Sequence, residues 1–202
     1  DLTVTGVQTC ALPISFYPEG LMTAHKPAAQ VVRDAAAGRP PRVGIVLGSG
    51  LADIAGFIEQ SIAIPYEDLP GFPVTTVEGH TGKLVIGDWA GTRVACMQGR
   101  FHVYEGHDPV DLALPIRALG ECGCDILLLT CAAGSLQENM PPGSLVMLSD
   151  HINWSGVSPL VGPNDNSIGP RFVDLNRAYD PELRALLDRK STRLNSSHSE
   201  IS

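Results

Sequence analysis

The chain has 202 residues, 44% of them apolar and 5% aromatic, with 21 glycines and 16 prolines; this is enough apolar material for a core with many tight turns, and it excludes disorder along the whole length. A formal net charge of -8 argues against broad affinity for nucleic acid or an acidic membrane surface, since either partner needs a basic face. Five cysteines, Cys10, Cys96, Cys122, Cys124 and Cys131, form an odd set without a CxxC pair, which points away from a disulfide framework or a zinc site and toward a reduced, cytoplasmic setting.

No run reaches the roughly 18 apolar residues of a membrane span. The stretch "CALPISFY" is too short and lacks the cationic flank of a signal peptide, so a soluble protein is expected. Residues 1–15 ("DLTVTGVQTCALPIS") and 189–202 ("RKSTRLNSSHSEIS") carry no helical or strand period. Both resemble translated sequencing adapter more than native arms, and the Ser-rich tail is expected to be disordered. The body of the protein is then 16–188.

Within it, "AHKPAAQVVRDAAAG" (24–38) sets Val31, Val32, Ala35 and Ala36 at near-helical spacing before Gly38 and Pro40, which predicts a helix with a defined stop. A short apolar strand at 43–47 runs through Gly48-Ser49-Gly50 into a short helix. β-formers also predict strands at 83–89, 92–99, 125–131 and 144–150. "WAGT" joins the first two as a hairpin turn. Asp108-Pro109 opens a second helix, as N-cap and first residue, that continues to Gly120 past Pro115. A helix between continuously apolar strands beside an antiparallel hairpin implies one α/β domain, a mixed central sheet with helices on both faces. No repeat and no internal linker interrupts it.

Four stretches can carry chemistry. In "GIVLGSGLAD" a strand ending in Gly-Ser-Gly before a helix offers amides and the Ser49 hydroxyl to an anion. Asp53 stands where a dinucleotide fingerprint has its third glycine, and no P-loop lysine follows, so the motif alone is equally a structural turn. "VEGHTGKL" places His80 between glycines that let an imidazole approach a ligand, although a lone histidine in a turn is commonly solvent-facing. "QGRFHVYEGH" offers the Arg100 fork, with His102 and Tyr104 on the same side of an extended chain and Glu105 beyond; an Arg100–Glu105 surface pair is the plainer alternative. "TCAAGS" makes a second small-residue turn at the end of the most apolar strand, where the backbone N–H of Ala132 faces the same cleft as the first turn, because ligands sit at strand carboxyl ends in open α/β sheets. Cys131 reads as a buried structural thiol rather than a nucleophile. Asp150 and His151 read as a loop clasp.

Taken in order, "GSGL", "FPVTTVEGHTGKL", "MQGRFHVYEGH", "AAGS", "DHIN" and "GPND" followed by "RF" and "AYD" resemble the trimeric purine nucleoside phosphorylases over roughly 20–187. The resemblance implies a nucleoside phosphorylase-like α/β fold and reversible phosphorolysis of purine nucleosides. It also implies inorganic phosphate as co-substrate, no metal or organic cofactor, and a homotrimer. It implies that Ser49, His80, Arg100, His102 and the amide of Ala132 bind phosphate. Glu105 would hold that network, Tyr104 would contact the ribose, and Phe172 of a neighbouring subunit would cap the sugar; His80, His102 and Glu105 would be the catalytic set. "TCAAG" stands where the family commonly has "TNAAG", which removes any side-chain role of Asn at position 131. The series stops near Leu187, which implies an incomplete domain, poorly active alone. In the family the purine-gripping residues follow that point, so base preference has no residues here to decide it. Methylthioadenosine phosphorylase and a non-catalytic phosphate- or nucleoside-binding module are the alternatives; the "GRFHVYEGH" series favours the purine nucleoside enzyme.

Overall fold

The computed structural model describes residues 23–73 and 82–198, with side chains up to residue 189. Its centre is a five-stranded mixed sheet in the order β2-β3-β4-β1-β5. The strands are β1 (Val43–Leu47), β2 (Glu59–Pro65), β3 (Lys83–Trp89), β4 (Thr92–Gln98) and β5 (Ile126–Leu129). β2, β3 and β4 are antiparallel neighbours, while β4, β1 and β5 run parallel. The mixed sheet expected from the sequence is therefore present. The "WAGT" hairpin turns through Ala90 (φ 47°) and Gly91 (φ 79°), the left-handed pair that matches strand twist.

Two helices cover one face. α1 (His25–Ala35) and α2 (Pro109–Glu121) set Ala28, Ala29, Val32, Ala118 and Leu119 on Val46, Leu84, Ile86, Ala95 and Met97 of the sheet. α2 starts as its sequence implies: the Asp108 carboxylate accepts from Val110 N–H at 2.9 Å, and Pro109 occupies the first turn. The second face is covered by a shorter helix than the first. The opposite face, with Ile45, Leu47, Val85, Val94 and Cys96, is covered by Ala55 and Ile58 of a 3-10 segment, Ala52–Phe57, and the residue after it. This short 3-10 helix suffices there, because Leu51 and Ile54 already fold back onto the strands.

Other departures have local causes. β2 went unread because Glu59, Gln60 and Ser61 interrupt its apolar pattern; it is an edge strand exposed over most of its length. Residues 144–150 form no strand. Their apolar side chains lack a sheet to join, and Leu145 is 97% exposed. β5, the most apolar strand, lies at the other edge with β1 alone beside it, so Leu127, Leu128 and Leu129 remain exposed. α3 runs Pro181–His198, through residues expected to be without structure. Asp180 caps it by accepting from Glu182 and Leu183 N–H at 2.8 and 2.9 Å, the same Asp-Pro opening that starts α2, and no proline or glycine interrupts it afterwards.

Candidate functional site

β1, β4 and β5 point their carboxyl ends the same way, with Leu47 level with Gln98 and Val46 level with Leu129. The loops that follow these ends carry Ser49, Arg100 and Ala132. Thr130 ties them. Its hydroxyl accepts from Gly48 N–H at 2.9 Å and donates to Val46 O at 3.0 Å. Its carbonyl accepts from the Arg100 guanidinium at 3.2 Å. A Cβ on Gly48 would stand 2.6 Å from Thr130 O and 2.8 Å from Cys131 Cα, so only glycine lets the two turns touch. The two turns are therefore adjacent at one end of the sheet.

The opening after β4 is anchored from below. The buried Tyr66 hydroxyl donates to Gly99 O at 2.8 Å, and Gln98 Nε2 donates to Ala52 O at 2.7 Å. Tyr66, Phe72 and Phe101 pack as a tilted aromatic trio, with centroids 5.1–6.3 Å apart. Burial raises the Tyr66 phenol far above its ordinary range, with a smaller contribution from nearby Cys96; Tyr66 therefore acts only as a neutral donor.

On this base the polar chain is continuous. Arg100 Nε donates to His102 Nε2 at 3.0 Å, and His102 Nδ1 lies 2.7 Å from Glu105 Oε1. Since Nε2 accepts from arginine, the ring proton sits on Nδ1 and is donated to the carboxylate. Glu105 Oε1 also accepts from His102 N–H at 2.9 Å, and its side chain is only 2% exposed. The chain does not stay extended past His102, as the sequence reading has it. Val103–Glu105 form a 3-10 turn closed by Gly106 at φ 90°, and that turn swings Glu105 back under the imidazole. Tyr104 reaches the same face by stacking on His102, with centroids 4.5 Å apart and planes at 18°, leaving its ring 73% exposed.

Ser49 and Ala132 are exposed on their turns. Cys131 is exposed rather than buried, because it follows the open edge of the sheet. His80 lies outside the described residues. Phe172 stands apart from this cluster, 87% exposed, in a loop where Arg171 donates to Gly162 O and links "GPND" to "RF". "DHIN" and "AYD" also meet, His151 and Tyr179 packing edge to face at 5.6 Å; His151 N–H donates to Asp150 at 2.8 Å, which is the expected loop clasp. An open hollow of about 260 Å³ beside α2, lined by Val110, Arg117, Leu160 and Asp165 among others, is separate from the strand ends and holds none of the anion-directed residues. Thr130, Tyr66 and Gln98 were missed by sequence reasoning. A hydroxyl closing an apolar strand was the one available signal for Thr130; nothing local marked the other two.

A parallel-strand edge that presents an arginine, an oriented imidazole, a serine turn and a second small-residue turn defines an α/β protein with a candidate anion site at its strand ends. The family model of the phosphorylase superfamily matches residues 42–200, and the chain belongs to that family. It is 50% identical over 146 residues to purine nucleoside phosphorylase 1 of Geobacillus stearothermophilus, which covers 72% of this chain and 53% of that protein. It is 44% identical to purine nucleoside phosphorylase 1 of Bacillus subtilis, covering 77% of this chain and 57% of that protein. Among solved structures, isoform 2 of purine nucleoside phosphorylase from Schistosoma mansoni, in complex with cytosine and ribose-1-phosphate, aligns with a TM-score of 0.78 and 38% identity over 86% of this chain and 61% of that one. The chain thus spans about half the length of the curated relatives it matches. Among the described residues no helix is long and apolar enough to cross a membrane.

Proposed function

We propose that the protein catalyses reversible phosphorolysis of purine ribo- and deoxyribonucleosides, giving free purine and the pentose 1-phosphate, with inorganic phosphate as co-substrate and no resident cofactor. The observation that carries this reading is the Arg100–His102–Glu105 chain, joined through Thr130 to the Gly48-Ser49 turn. Its physical sense is direct. Breaking the glycosidic bond builds positive charge on the sugar, and a phosphate held beneath the anomeric carbon both answers that charge and attacks it. Arg100, Ser49, His80, His102 and the Ala132 amide hold the phosphate. Glu105 keeps the His102 ring turned and its proton on Nδ1. Tyr104, an exposed ring stacked on His102, contacts the ribose. Positioning of the two reactants is worth roughly 7–11 kcal/mol of the barrier in well-oriented systems.

The reading extends to a cytoplasmic homotrimer in which Phe172 of one subunit caps the sugar in the next; its high exposure suits that task. The first test is calorimetry of the folded chain with phosphate and with ribose 1-phosphate, beside an assay of phosphate-dependent hypoxanthine release from inosine. Binding of both anions, lost in Arg100→Ala, supports the reading. Absence of any phosphate binding by a folded chain overturns it. Phosphate binding without capture of ribose 1-phosphate or nucleoside turns it into a non-catalytic anion module.

A further inference from the structure

α2 ends on Cys122, and Cys124 stands one glycine further on, at the entry to β5. Neither sulfur takes part in the anion site. Both residues turn on a single carbonyl: Leu119 O accepts from Cys122 Sγ at 3.1 Å and from Cys124 N–H at 3.0 Å. Gly123, at φ 119°, makes that turn, and a Cβ on it would press to 3.1 Å from Pro40. Cys124 Sγ packs over β1, 3.6 Å from where a Cβ on Gly44 would be. Cys122 Sγ and Cys124 N–H thus meet at one acceptor, and both side chains pack on the same apolar cluster. Two residues apart, the Cα atoms are separated by at most about 7 Å, and a turned pair stands closer than that limit, in reach of the roughly 4.4–6.8 Å that a disulfide spans.

We propose that Cys122 and Cys124 form a peroxide-reactive dithiol that closes reversibly to a disulfide at the joint between α2 and β5.

The two sulfurs divide the chemistry. Interaction with the Cys124 thiol, aided by the Arg33 guanidinium, outweighs burial and lowers the Cys122 thiol below its ordinary range. The same interaction, with burial and the charge of Asp125, raises Cys124. Cys122 is therefore the nucleophile and Cys124 the resolving thiol. The Cys122 thiolate attacks one oxygen of hydrogen peroxide, the O–O bond breaks, and sulfenic acid and hydroxide form. Cys124 sulfur then attacks the sulfenic sulfur and the S–O bond breaks. The departing hydroxide takes the thiol proton as water, and the proton first lost from Cys122 neutralises the first hydroxide. Two thiols and one peroxide thus give one disulfide and two waters. The other charged groups at this joint are accounted for: Arg33 donates to Glu121 O, the Glu121 carboxylate lies 3.9 Å from His25 Nε2, and Asp125 is paired with Arg42. Cys122 is buried and Cys124 half-buried; a two-oxygen oxidant reaches them from the Cys124 side as the last turn of α2 opens locally.

The test treats the folded 202-residue chain with hydrogen peroxide, alkylates the remaining thiols and maps every cysteine by mass spectrometry. The peptide holding both residues should lose two hydrogens before Cys131 is half consumed, regain them with dithiothreitol, and leave Cys96 reduced. Cys131→Ser should keep this product, whereas Cys122→Ser and Cys124→Ser should each abolish it, with Cys122 of the latter trapped as sulfenic acid by a dione probe. Direct passage of either sulfur to sulfinic acid in the wild-type chain, a bridge to Cys10, Cys96 or Cys131 instead, or two unreacted thiols beside a fully oxidised Cys131 would each overturn the proposal. None of these readouts depends on phosphate or nucleoside, so failure here leaves the phosphorylase reading untouched, and the reverse also holds.

Discussion

The stretch from Val43 to Leu129 and the stretch from Cys131 to Asp180 are both rich in apolar residues, yet they end up in opposite states. In the first, Leu84, Ile86, Ala95, Met97 and Leu119 are essentially without solvent contact. In the second, Leu136, Leu145, Trp154 and Phe172 are almost fully exposed, and no helix or strand forms before α3. Apolar content contributes stability only where a second surface removes it from water. The strands of the first region pair with one another and with α1 and α2. The second region follows β5, an edge strand with one neighbour, and apart from the loop at 158–171 beside α2 it meets no such surface among the described residues.

If that contrast is right, Leu84→Ala should cost about 2–5 kcal/mol in denaturant unfolding, the usual range for a buried leucine; a loss under about 1 kcal/mol would place the core elsewhere. Alkaline titration probes the same region. Burial pushes the fully enclosed Cys96 thiol up to about 12 from an ordinary 9.0. The unfolded chain therefore releases this proton first, and stability is intact below pH 9 and falls as pH rises from 9 toward 12, at about 1.4 kcal/mol per unit. Cys96→Ala should flatten that part of the curve once the common effect of Tyr66, also raised, is subtracted.

Smaller effects test the boundary between the regions, where the proposed anion site lies. Arg100→Ala should weaken phosphate binding by about 10- to 100-fold, the worth of a charge-assisted hydrogen bond of roughly 1.5–3 kcal/mol, with little change in unfolding. Glu105→Gln, which keeps the shape but removes the charge that holds the His102 proton, should weaken phosphate binding by less, on the order of 5- to 10-fold. Smallest of all, Leu145→Ala should change stability by less than about 0.5 kcal/mol, as surface substitutions do. A core-sized loss at Leu145 would erase the comparison.

Much of the first region could be read from the chain alone. The Asp108-Pro109 opening, the Ala90-Gly91 hairpin and the apolar strands at 43–47, 83–89 and 92–98 are local signals, each set by backbone preferences a few residues long. Arg100, His102, Tyr104 and Glu105 were legible as a group because they crowd one short stretch. What escaped was whatever depends on a distant partner. Glu59-Gln60-Ser61 looks like loop until β3 supplies a ladder, and Thr130 looks like the end of a strand until Gly48 and Arg100 arrive. Residues 144–150 show the converse error: a strand-like composition is not a strand without a neighbour to pair with.

By itself, then, the order of residues determined the periods, caps and turns of the individual elements and the choice of chemical groups at the proposed anion site, because these follow from backbone sterics and side-chain identity over a few positions. Only the tertiary structure decided that β1, β4 and β5 end side by side, that Gly48 and Thr130 touch, that Arg100 turns its edge to His102, and that Leu119 O holds two cysteines at one joint. The Gly48–Thr130 contact joins residues 82 positions apart, as the β1–β5 pairing does at similar separation, and no local preference encodes such a contact; it forms only when the whole sheet buries its apolar faces at once.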